Sequence, residues 1–259
     1  RWSEAAGEFE RGAAQGKDPQ LAREALWQAA ELHGKGGNRA ASAKAYERYL
    51  KQYPEPFERA METRHRLAVI AKADGNAKRD FELQREIFQA DQRGGSARTE
   101  RTRYLGAMAA LALAQPAVDD YKKVALVEPL QRSLKTKKAK LEDALKGYAV
   151  AADYGVADAS TAATFHTAAL YQDFGQAMLK SQRPKGLKKL ELEQYNVLLE
   201  EQAFPFEEKA ITLHEINAKR SAQGVYDEWV SKSFAALRTL KPGRYARAER
   251  VEGVIDAIR

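Results

Sequence analysis

Residues 21–54, LAREALWQAAELHGKGGNRAASAKAYERYLKQYP, constrain this chain most, because they carry the punctuation of two helices folded back on each other. Leu21, Ala25, Ala29 and Leu32 step by four, four and three, which sets one apolar stripe along a helix, facing a packing partner. Asp18 supplies an N-cap, and Pro19 occupies the first helical position, where its missing N–H costs nothing. Gly34, Gly36, Gly37 and Asn38 then stop the helix, since these residues tolerate positive φ. Ala43, Tyr46 and Leu50 carry the apolar face of the second helix, and Pro54 closes it.

The same unit recurs. Phe9, Tyr46 and Leu83 share one spacing, Gly37 and Gly75 nearly the same one, and Pro205 and Pro242 repeat it. That spacing lies close to the roughly 34-residue period of stacked helical hairpins. Trp2, Ala5, Ala6, Phe9 and Ala13 share a face of the first helix, which is expected to be the second half of a hairpin begun upstream. The start at Arg1 rather than methionine carries the same expectation, a processed or excised part of a longer protein. The second hairpin spans 56–93, with Leu67, Ile70 and Ala71 on its first helix, Asp74-Gly75-Asn76 at the turn, and Phe81, Ile87 and Phe88 on its second. Gly94-Gly95-Ser96 breaks the pattern.

A helix over 99–114 follows, and Pro116 starts another through Tyr121 and Val124. Residues 130–154 read as one long helix with Leu134, Leu141, Leu145, Tyr148 and Ala152 on a face, ended by Gly155. Asp158 or Ser160 caps the next, which runs through Phe165, Ala169, Phe174 and Met178. After the turn Arg183-Pro184-Lys185-Gly186 comes a helix with Leu190, Tyr195, Leu198 and Leu199. Phe204-Pro205-Phe206 then opens a last hairpin: Phe206, Ala210, Leu213 and Ile216 face one way, Gly224 turns, and Trp229, Val230, Phe234 and Leu237 face back. Val251, Val254, Ile255 and Ile258 give the tail helical spacing, as a capping helix or a fraying end. The expected organisation is three blocks: hairpins over 1–93, an irregular middle over 94–157, and hairpins with a tail over 158–259.

Strand-like alternation is absent, and Ala, Leu, Glu, Lys, Gln and Arg dominate, so the fold class is all-α. With 44% hydrophobic and 31% charged residues the chain suits a solenoid, whose surface is large for its core. No 18-residue apolar run exists, and the mean hydropathy is −0.60, so no membrane span is expected. The most apolar stretch, 105–114, reads as a buried helix. A net charge of +7 across 43 basic and 36 acidic side chains leans only mildly towards an acidic partner. The absence of cysteine removes disulfide and thiol chemistry, and leans the chain to the periplasm, with the cytoplasm as the alternative.

With Gly37-Asn38 at its turn, Tyr46 as the large aromatic of its second helix and Pro54 at its end, the 21–54 unit resembles a degenerate tetratricopeptide repeat. Ser42 stands where that family favours a small alanine, and Ala30 where it favours glycine; both remain small enough for close packing. AFPFEEKAITLHEINAKR and GVYDEWVSKSFAALRTLKPGRY resemble the C-terminal part of bacterial envelope tetratricopeptide proteins that accompany Tol, TonB and gliding-motility motor complexes. The resemblance implies an α-solenoid of stacked antiparallel hairpins with an irregular middle. It also implies a non-enzymatic scaffold for a protein or peptide partner, envelope motor components among them. In such arrays the first helix of each hairpin lines the binding groove. Carried onto this chain, the groove positions are Glu24, Trp27, Glu31 and Lys35, then Glu62, His65, Val69 and Lys72. Trp27 lies off the Leu21–Leu32 stripe, so it is either an exposed contact anchor or packed on the neighbouring hairpin.

Catalytic and metal chemistry find little to stand on. His214-Glu215 lacks the second histidine of a zinc helix, since Ala218 holds that place, and His33, His65 and His166 are scattered. Glu200-Glu201 falls at an expected helix end and Glu207-Glu208 in an expected first turn, where the latter pair would serve the helix dipole. No nucleophile–base set and no glycine-rich phosphate loop is present, so neither a catalytic residue nor a cofactor is expected; an enzyme with a site dispersed between helices is the third possibility. Arg132, Lys135, Lys137, Lys138 and Lys140 form a basic cluster, either a solvated face or a contact for an acidic protein, a lipid headgroup or nucleic acid. It lacks the aromatic residues that stacking on bases needs, which argues against nucleic acid. Arg238, Lys241, Arg244, Arg247 and Arg250 make a second basic stretch around Tyr245.

Overall fold

A computed structural model of the chain describes residues 1–247, and every regular element among them is helical. The helices are α1 (Trp2–Gln15), α2 (Pro19–Lys35), α3 (Arg39–Gln52), α4 (Phe57–Ala73), α5 (Ala77–Arg93), α6 (Glu100–Leu113) and α7 (Gln115–Lys123). They continue with α8 (Leu130–Ala152), α9 (Ala157–Leu179), α10 (Lys189–Arg220), α11 (Glu228–Leu240) and the single turn α12 (Pro242–Tyr245). Arg250 and the tail positions Val251, Val254, Ile255 and Ile258 lie outside the described residues. Two compact units divide the chain: residues 1–118 with 146–159, and residues 119–145 with those from 160 onward. The stretch 94–157 contributes to both.

In the first unit each helix from α1 to α6 packs on its sequence neighbour, and α4 also meets α6. Adjacent helices thus pack in the manner of a helical repeat. The local chemistry repeats too. Asn38 accepts a hydrogen bond from the Ala41 N–H and Asn76 from the Arg79 N–H, so each caps the second helix of its hairpin. Gly37 at φ +78° and Gly75 at φ +71° precede them, in a conformation that a Cβ would strain. Asp18 caps α2 through the Gln20 and Leu21 N–H groups, and Thr99 with Thr102 forms a reciprocal capping box on α6. Ser42 Oγ donates to the Ala30 carbonyl at 2.7 Å, which ties α3 to α2.

The stripe on α2 is rotated from the one its spacing suggested. Leu21 is 68% exposed, whereas Ala29 and Leu32 of that stripe are buried together with Ala22, Leu26, Trp27 and Ala30. Trp27 decides this: its large ring fills the space above α3, joining Leu26, Tyr46, Tyr49, Leu67 and Leu83 in one core. Trp2 and Phe9 also keep much of their surface exposed, and Ala6 alone is fully buried on α1.

The second unit departs further from the sequence reading. α9 starts at Ala157, ahead of both expected caps, so Asp158 sits in its first turn. α10 runs unbroken for 32 residues with Pro205 inside it, so Phe204-Pro205-Phe206 opens no hairpin. A helix-interior proline costs about 3 kcal/mol and disfavours helix in the residue before it. Packing on α9 outweighs that cost: Phe206 meets Phe174 at 4.6 Å, and a Cβ on Gly175 would touch the Ala203 carbonyl at 3.4 Å. Glu200-Glu201 and Glu207-Glu208 are therefore mid-helix, and neither marks a terminus. Leu190, Leu198 and Ile216 face solvent, while Ala203, Ala210, His214 and Asn217 make the buried side.

Candidate functional site

Ion pairs join α2 to α4 and α4 to α6, and they line a groove of about 710 Å³ that includes Trp27, Glu31, Arg59, Glu62, Arg66 and Arg101. Arg59 on α4 reaches both oxygens of Glu24 on α2 at 3.3 Å. Arg66, two turns further along α4, lies 3.6 Å from Glu31 and 3.4 Å from Glu62. Arg101 on α6 donates to Glu62 through Nε at 3.0 Å and Nη2 at 2.8 Å. Each helix thus offers acids to arginines of the next first helix. Of the residues expected here from sequence, Glu24, Glu31 and Glu62 take part. The arginines were not foreseen, although Arg59 and Arg66 each follow their acid by 35 residues, a signal in plain view. Such partly exposed pairs contribute about 0–1 kcal/mol each, so a partner's charges can replace them at little cost.

Trp27 is 3% exposed and is no surface anchor. Its ring meets Tyr46 at 5.2 Å and Tyr49 at 5.4 Å, both edge-on, and the Arg59 guanidinium lies 4.4 Å from its centroid. It forms the floor of the groove, held there by the core. Burial, with Glu31 adding to it, pushes the Tyr46 phenol up to about 12, so it stays neutral. Burial lowers the pKa of half-buried His65 beside Glu62, so its imidazole is neutral at pH 7. A neighbouring groove of about 510 Å³ takes in Glu31, Lys35, Arg66 and Val69. Lys72, exposed in the last turn of α4, lines neither.

The basic cluster on α8 loses its central member. Lys137 is 4% exposed, because it shares the buried stripe of Leu141, Ala144, Tyr148 and Ala151. Its ammonium donates to the carbonyls of Tyr121 at 3.3 Å and Val124 at 3.0 Å, and lies 4.0 Å over the Tyr121 ring. It therefore serves the negative end of α7. Burial lowers its pKa. The Tyr121 hydroxyl in turn donates to Asp173 at 2.6 Å. Arg132, Lys135 and Lys138 stay exposed, and Lys140 lies 3.8 Å from Asp120. In the other basic stretch Lys241, Arg244 and the Tyr245 hydroxyl gather on Glu215, whose pKa is lowered chiefly by the Lys241 hydrogen bond.

His214 is fully buried in α10. Its Nδ1 shares a hydrogen bond with Ser233 at 3.2 Å, Asn217 donates to Ser233 and to the Thr161 carbonyl at 3.0 Å, and Nε2 has no partner. Burial pushes its pKa down to about 4, below the ordinary value near 6.5. The fold thus accepts only neutral imidazole: this contribution is complete above about pH 6.5 and is lost as pH falls towards 4. The difference is worth roughly 3 kcal/mol. His214→Gln should flatten the fall in urea midpoint between pH 7.5 and 4.5; a slope unchanged by the substitution would assign the acid sensitivity to another group. Among the described residues no group of three or more His, Cys, Asp or Glu side chains is placed to hold a metal. No described helix is long and apolar enough to cross a membrane. Compared with known proteins, the chain matches no protein-family model and no curated protein.

Proposed function

We propose that this chain is a non-enzymatic scaffold of tetratricopeptide type, which binds a segment of another protein along the groove of α2, α4 and α6. The observation that carries this reading is the ladder of exchangeable ion pairs from Glu24 to Arg101 over a buried aromatic floor. A groove held rigid by stacked helices spares the receptor most of the ordering cost of binding. The resemblance of residues 203–245 to envelope proteins supports a periplasmic motor-type complex as the setting of the partner. The other reading, a binder of nucleic acid or another acidic surface, is weakened by the loss of Lys137 to the core.

The test is site-specific photocrosslinking in a bacterial envelope extract, with the reactive side chain at exposed Gln28 in the groove or at Lys72 outside it. One protein adduct is expected at Gln28, absent at Lys72, and reduced at least tenfold by Arg66→Glu with Arg101→Glu. Equal yields at the two positions would sink the groove as the working surface.

A further inference from the structure

α10 carries a second pattern, one that the core does not use. Leu190, Val197 and Phe204 recur every seven residues and are 65, 52 and 62% exposed. Seven residues bring an α-helix to within about 20° of two turns, so the three form one outward stripe. Leu198 widens it beside Val197. Each stripe residue is followed three positions on by a glutamate, namely Glu193, Glu200 and Glu207. Four positions on stand Gln194, Glu201 and Glu208. Positions three and four away lie beside the apolar residue on the helix surface, so the stripe runs between a row of glutamates and a second row that is acidic at Glu201 and Glu208. Among the described residues, none of Glu193, Glu200, Glu201, Glu207 and Glu208 is in an ion pair. Beside Phe204, a hollow of about 200 Å³ between α9 and α10, with Gly175, Leu179 and Ala203 in its wall, has room for one large side chain.

An apolar stripe of heptad period flanked by charge is the surface that a second helix reads. The acid decides which helix. A second copy of α10 would set glutamate rows against each other in either direction, which like-charge repulsion disfavours. We propose that the outer face of α10, over residues 190–208, docks a basic amphipathic helix of a partner protein, with apolar residues at heptad spacing and Lys or Arg on both flanks. The docking face uses none of the residues of the α2–α4–α6 groove and does not depend on that reading.

The probe is a 21-residue peptide with leucine at the seam and lysine on the flanks, beside a twin with glutamate on the flanks, titrated into the full chain by fluorescence anisotropy. The lysine peptide should bind at least tenfold tighter. Val197→Ser with Phe204→Ser should weaken it at least tenfold while thermal unfolding stays unchanged, since both residues face solvent. Glu200→Lys, Glu201→Lys and Glu207→Lys together should invert the preference to the glutamate peptide. Equal binding of the two peptides, or indifference to these substitutions, overturns the proposal. So does self-association that Val197→Ser abolishes, which would give the face to a second copy. Binding seen only after removal of residues 248–259 would give it to the chain's own tail, and equally overturn it.

Discussion

Trp27→Ala is expected to destabilise the first unit by about 3–5 kcal/mol, the range for emptying a buried aromatic site. The indole is nearly inaccessible and lies edge-on to Tyr46 and Tyr49, pairings worth about 0.5–1.5 kcal/mol each beyond area burial. Removing it also takes away the ring under Arg59, and with it the rigidity of the groove floor. The tyrosines cannot simply fall inward, because Tyr49 is itself fully buried with a hydroxyl that has no partner. Trp27→Phe keeps an edge-on ring and should lose less than half as much. Equilibrium urea unfolding followed by circular dichroism measures both. A loss under about 1 kcal/mol for Trp27→Ala would mean that the ring is a surface contact after all.

Helix boundaries were legible wherever local chemistry sets them. Asp18 with Pro19, Gly37 with Asn38, Gly75 with Asn76, and Thr99 act through their own backbone neighbours, so their roles can be read without knowing the fold. Choosing which face is buried was harder, because one residue turns a helix by only about 100° and an alanine-rich helix offers several faces. On α2 the choice was made by the bulk of Trp27, not by the Leu21 stripe. Pro205 was read by its local preference, whereas packing of Phe206 and Ala203 on α9 overrides it. Lys137 looked like its basic neighbours because sequence cannot say that α7 ends beneath it, with carbonyls that accept its ammonium. At the groove the acids came from the resemblance to tetratricopeptide arrays; their arginines depend on the register between helices, which only the packed structure supplies.

Arg98→Ala should cost about 3–5 kcal/mol, because it strands a carboxylate that has no access to water. Asp91 is completely buried, and Arg98 holds it with a fork, Nε to Oδ1 at 3.1 Å and Nη2 to Oδ2 at 2.7 Å. The wall opposite is α6: a Cβ on Gly106 would stand 2.7 Å from Asp91 Oδ2, so no larger residue fits there. The loss should come from the stranded charge more than from the missing attraction. Asp91→Asn in the Arg98→Ala background should therefore recover at least about 1 kcal/mol, although Asp91→Asn alone destabilises. Arg98→Lys keeps the charge but cannot reproduce the two-pronged geometry, and should fall between wild type and Arg98→Ala. The ranking should survive 1 M salt, which screens exposed pairs but reaches this one poorly. Urea unfolding of the four variants decides it: additive losses would mean that Arg98 matters through its packing near the Tyr154 ring, 5.8 Å away, and not through Asp91.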